Sequence, residues 1–90
     1  PLPTVIWRLS DGRLEQVNDA ARAFFGERAD LEERTRILDL FDEGEHDRFA
    51  SLPLPIESGT LRAGAWQVPD ARGDLRTMEL VIGRLERQNQ

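Results

Sequence analysis

Cysteine and lysine are both missing from this 90-residue chain, and histidine occurs once. Without a thiol the chain forms no disulfide, offers no thiolate nucleophile and builds no cysteine metal site, while the redox compartment is left open. Long hydrophobic runs are missing too. The longest, such as residues 80–82, fall far short of the roughly 20 residues that span a bilayer, and no charged-then-apolar leader opens the chain. The expectation is a soluble, cytoplasmic piece with no direct membrane insertion. Positive charge is in deficit: 12 basic against 17 acidic residues leave a net charge of −5, which repels a phosphate backbone unless the basic groups share one face. They are scattered from Arg8 to Arg87, so nucleic acid is not an expected partner. Opening at Pro1 without Met, the sequence reads as a fragment of a larger protein.

What is present suits one folded unit over residues 1–90. Apolar residues make up 39% and charged residues 32%, too apolar and too mixed in charge for a disordered tail. A chain this short has little apolar surface to spare for a deep cleft. Val5, Ile6, Trp7 and Leu9 form a β-prone run, residues 14–17 form another, and the Asp11-Gly12 turn between them signals a hairpin. Asn18 stands where a helix N-cap belongs. Ala21, Phe24 and Phe25 then fall on one helical face, and Gly26 closes the helix. A second helical stretch, short or broken, is expected from Asp30, with Glu33 in a capping-box position and Leu31, Leu38 and Phe41 down one side. A third, short helix over residues 45–51 would bury Phe49 before Pro53 and Pro55 end it. From Gly59 the period becomes two: residues 61–68 and 75–85 read as strands around a turn at 69–74, with Met78, Leu80 and Ile82 sharing one face.

This order resembles that of a PAS domain, a sensory and dimerisation module of signalling proteins. Residues 9–14 (LSDGRL) and 17–26 (VNDAARAFFG) look like the family's first hairpin and the helix behind it. Residues 37–42 and 46–49 resemble its short helices, and 69–74 with 78–82 its later hairpin. The resemblance implies an α+β fold, an antiparallel sheet with short helices packed on one face. PAS domains usually finish with a fifth strand, and only residues 87–90 remain after the last strand here. The final strand is therefore expected to be missing. The alternative, residues 54–56 as a third strand, suits Pro53 and Pro55 less well.

Candidate chemistry is sparse. His46 could mark a haem or metal site, but its neighbours Glu43, Glu45, Asp47 and Arg48 are charged, and a solvated histidine is the expectation. The family's covalent flavin chemistry needs a cysteine that this chain lacks. No Ser-His-acid motif and no Gly-rich phosphate loop occurs, so no catalytic residue, metal or cofactor is assigned. Phe24, Phe25, Leu38, Phe41, Trp66 and Met78 could line a pocket for a small apolar ligand where the family holds ligands, although ordinary core explains them as well. Val5, Trp7, Val81 and Leu85 could form a dimer contact, or lie beneath a segment outside this sequence. The resemblance implies a non-enzymatic module that forms a homodimer or binds a partner signalling domain, relaying a signal to an output domain such as a bacterial histidine kinase of a two-component system. A ligand-free interaction module is the alternative, and a small enzyme the remote one.

Overall fold

A computed structural model describes residues 2–30 and 34–85. Strands β1 (Val5–Trp7) and β2 (Leu14–Val17) pair antiparallel, with Val5 opposite Val17 and Trp7 opposite Leu14. The loop between them turns at Gly12, whose φ of 75° suits a residue without Cβ. Asp11 fixes that loop by accepting from the Arg13 N–H at 3.0 Å and by pairing with Arg8 at 2.7 Å. Those backbone and charge contacts hold its carboxyl below the ordinary value.

Helix α1 (Asp19–Phe25) starts as its sequence dictates. The Asn18 side-chain oxygen accepts from the Ala21 N–H at 2.9 Å and also from the Thr4 N–H at 2.9 Å, while its amide donates to the Leu2 carbonyl at 2.8 Å. One residue thus caps the helix and ties down the N-terminal arm. At the other end Gly26 takes φ of 65° and its N–H reaches back to the Arg22 carbonyl. A Cβ at Gly26 would meet the Ala71 Cβ at 2.9 Å, so the distant hairpin turn packs against this glycine.

The helix expected after Asp30 does not form over its described part. Glu33 and Leu31 lie outside the described residues. Arg34 takes φ of 57°, and only the 3-10 turn Ile37–Leu40 is helical. The reason is competition for backbone groups: the Thr35 carbonyl accepts from the Leu14 N–H at 2.9 Å, and the Ile37 N–H donates to the Gly12 carbonyl at 2.7 Å. Groups spent on the edge of β2 cannot also close a helix. A further 3-10 turn (Glu43–Glu45) leads into α2 (His46–Ala50), close to the third helix expected.

Strands β3 (Thr60–Pro69) and β4 (Leu75–Gly83) form the second hairpin. Asp70, nearly buried, organises its turn: the carboxylate accepts from the N–H groups of Arg72 and Asp74 and from Arg76 Nε, all within 3.0 Å. Arg28 donates to the carbonyls of Pro69 and Asp70, which joins this turn to the segment after α1. Gly64, with φ of 85°, marks an irregular register in β3.

The outcome is an α+β fold of two antiparallel sheets, each of two strands, around short helical segments. The two hairpins do not pair with each other among the described residues, where the sequence suggested one sheet. Ala21, Ala29, Leu40 and Trp66 are the deepest side chains of the core that joins them. No helix among the described residues is long and apolar enough to cross a membrane.

Two predictions follow from these caps and turns. Asn18→Ala should cost about 1–2 kcal/mol in a urea titration, since it strips the α1 cap and the tether of the N-terminal arm. Burial raises the Asp70 carboxyl pKa, but the Arg76 contact and the two backbone N–H groups outweigh it and leave the pKa below the ordinary value. A depressed folded-state pKa gives stability that is present above the unfolded value, about 3.9, and is lost as pH falls through the folded one. Stability should therefore drop more steeply below about pH 4 in the parent protein than in Asp70→Asn; equal slopes by pH-dependent denaturation would remove Asp70 from this role.

Candidate functional site: an apolar cavity between the hairpins

The strand period places Trp66 and Val68 on the inner face of β3, while Ala65 and Gln67 face outward. Trp66 is only 1% exposed. Its ring lies 5.4 Å from that of Phe41, just past the Ile37–Leu40 turn, and 6.0 Å from that of Phe49 on α2. Phe49 in turn lies 6.1 Å from Trp7 of β1. Aromatic rings at these separations are in favourable edge or tilted contact. Arg48 sits over Trp66, its guanidinium 4.0 Å from the ring centre and donating to the carbonyls of Ala65 at 2.8 Å and Ala63 at 3.2 Å.

This arrangement also seals the outer edge of β3. Besides Arg48, the Glu45 carboxylate accepts from the Gln67 N–H at 2.8 Å and the Asp42 N–H donates to the Gln67 carbonyl at 3.2 Å. The outer edge of β2 is covered by Thr35 and Arg36. By contrast, β1 and β4 each have a strand on one side only among the described residues. Two hollows lie there. The inner one, about 300 Å³, is lined by Phe25, Phe41, Phe49, Trp66, Met78 and Leu80 together with residues of β1. The other, about 420 Å³, has a more polar rim that includes Arg8, Ser10, Glu15 and Arg84. Val5, Trp7 and Ile82 line both, so the hollows are two openings of one gap between β1 and β4.

Polar groups near the inner cavity are already engaged. Trp66 Nε1–H donates to the Ala63 carbonyl at 2.9 Å, and the Thr4 hydroxyl donates to the Leu2 carbonyl at 3.1 Å. Glu79 is the one ionisable residue among the described residues that line it, and it sits on the exposed face of β4. Its side chains offer shape and burial, and hydrogen bonding at the gap is left to the backbone edges of β1 and β4. No family model, curated protein or solved structure matches the chain.

Of the six pocket residues expected from the sequence, Phe25, Phe41, Trp66 and Met78 line the inner cavity. Phe24 and Leu38 do not: Phe24 packs edge-on against Phe25 at 5.0 Å, and Leu38 presents its carbonyl to His46. His46 is not simply solvated, because its Nε2 lies 2.8 Å from that carbonyl and joins α2 to the preceding turn. The four residues expected at a dimer contact all border the gap, but differently: Val5 and Trp7 are half-buried against the core, whereas Val81 and Leu85 are 53% and 59% exposed. Sequence reasoning missed Phe49 and Leu80 as lining and Arg48 as the group over Trp66. A basic residue preceding a buried aromatic in a short helix carries no signal of the distant indole it covers. Among the described residues no cluster of three or more acidic or histidine side chains could hold a metal ion.

The aromatic cluster and the cavity wall should respond differently to truncation. Phe49→Ala, which removes a ring shared by three aromatic neighbours, should cost about 3–5 kcal/mol and unfold much of the protein at room temperature. Leu80→Ala, at a half-buried wall position, should cost under about 2 kcal/mol. Thermal unfolding followed by circular dichroism distinguishes the two, and equal losses would contradict a cavity beside Leu80.

Proposed function

We propose that this chain is a PAS-like, non-enzymatic sensory module that dimerises and passes a signal to an attached output domain. The observation that carries the proposal is the gap between β1 and β4, with an apolar interior behind it. The order of hairpin, capped helix, short helical turns and long hairpin supports the same reading.

Signalling then needs no chemistry beyond differential binding. A small apolar ligand in the cavity changes how the two hairpins sit against Trp66, and the dimer arrangement that fits the occupied form gains population by the ligand's differential affinity and no more. Val81 and Leu85, exposed at the border of the gap, supply apolar contact area to a second copy. A second reading is favoured by one specific observation. Strand edges without a neighbour pair readily with an incoming extended segment, so a ligand-free module that binds a partner signalling domain through β1 or β4 fits the same gap.

Native mass spectrometry and sedimentation of the purified chain test the proposal. The expected result is a dimer that becomes monomeric in the double variant Val81→Glu, Leu85→Glu with its far-ultraviolet circular dichroism unchanged. A chain that stays monomeric at high micromolar concentration and carries no bound molecule would contradict it.

A further inference from the structure

The gap between β1 and β4 is walled by backbone edges. Residues 5–10 and 82–85 line its larger hollow without a break, and residues 2–5 and 78–82 line the inner one in the same way. A pocket on the face of a strand takes every second residue, whereas an edge presents each in turn. We propose that the gap takes an extended segment of a partner protein as a strand paired to β1 and β4 at once, an assignment that rests on the interaction reading above.

Register identifies the backbone groups on each wall. Gln67 and Ala65 turn theirs away from β4, toward Asp42, Glu45 and Arg48, and they stand opposite Thr77 and Glu79. These are therefore the pairs of the ladder that exchange no hydrogen bonds, and on β4 the N–H and C=O groups of Glu79 and Val81 face the gap. On β1 the Thr4 N–H donates to the Asn18 side chain and the Arg8 N–H to the Arg13 carbonyl, both on the β2 side. The same alternation leaves the N–H and C=O groups of Val5 and Trp7 facing the gap. Two rows of backbone donors and acceptors that face each other are matched along their length by another extended chain.

The flanking side chains set the chemistry of the guest. On the inner side Val5, Trp7, Leu80 and Ile82 are apolar, so every second residue of the guest is apolar. On the outer side Glu79 is exposed and joins none of the ion pairs among the described residues, and the chain carries a net charge of −5. A basic residue beside Glu79 completes an opposite-charge pair across the strands. Residues 86–90 (ERQNQ) have no apolar side chain for the inner row. A strand held between two edges must itself be free on both sides, and each described strand of a second copy is already paired in its own hairpin. The guest is thus a partner's segment that alternates apolar and basic residues.

The probe is the capped peptide acetyl-KVKVKVK-amide, followed by calorimetry and by residue-resolved amide exchange of the protein. Binding should slow exchange at Val5, Trp7, Glu79 and Val81. Two further peptides carry N-methyl groups, one on its valines and one on its lysines. Successive N–H groups of a strand point to opposite edges, so pairing to both edges predicts that each set of methyl groups weakens binding at least tenfold. Replacing the lysines by glutamates should weaken it at least tenfold as well, and Glu79→Gln should narrow that difference. No binding of the parent peptide, or binding that neither methylated set alters, would overturn the assignment. Sensitivity to one set alone would place the peptide on a single edge, which overturns the insertion and leaves the interaction reading standing. Without peptide, slow exchange at Glu79 and Val81 in a monomer would give the gap to residues 86–90, and in a dimer to a second copy; either result overturns the assignment. Failure of the peptide to bind while those amides exchange fast removes this partner class and leaves the dimer to its own test.

Discussion

The buried indole of Trp66 touches the rings of Phe41 and Phe49, and the guanidinium of Arg48 lies over its ring. Those contacts bring together the segment after α1, helix α2 and the long hairpin, and Phe49 extends them to Trp7 of the first hairpin. Two two-stranded sheets have little stability of their own in water, so the structure depends on this shared aromatic cluster. Arg48 serves twice: it covers the ring and donates to the carbonyls of Ala65 and Ala63 on the edge of β3, the second of which also accepts from Trp66 Nε1–H. At the opposite end, Asp70, Arg28 and Gly26 fasten the turn of the long hairpin to the segment following α1.

Because the hairpins are joined at their outer sides and through the core, the gap is left on the remaining side. β2 and β3 have their far edges covered by Thr35, Asp42, Glu45 and Arg48, whereas β1 and β4 face the gap. The cavity is therefore a product of connectivity and not of a missing side chain. Its lining comes from residues that also hold the fold together.

Much of the fold was legible in local chemistry. Asp11-Gly12, Asn18 and Gly26 each encode a backbone geometry within a few residues, and each adopts it. The alternating pattern of β4 likewise grouped Met78, Leu80 and Ile82, and all three are less exposed than the Thr77, Glu79 and Val81 that alternate with them. The segment after Asp30 keeps only a short turn of its expected broken helix, because Thr35 and Ile37 make hydrogen bonds to Leu14 and Gly12, more than 20 residues away in sequence. Of the candidate site, the aromatic members were visible as buried apolar types. Phe24 and Leu38 could not be separated from Phe49 and Leu80, since which side of a small core faces a void is decided by how the hairpins are joined.

The openness of the gap is tested most directly by residue-resolved amide hydrogen exchange of the isolated chain. An open gap predicts strong protection for Leu14 and Gln67, whose N–H groups are bonded to Thr35 and Glu45, and fast exchange at alternate amides of β4 that do not face β3. Protection of those β4 amides equal to that of their neighbours bonded to β3 would mean that a strand already fills the gap, and would contradict the cavity and the function built on it.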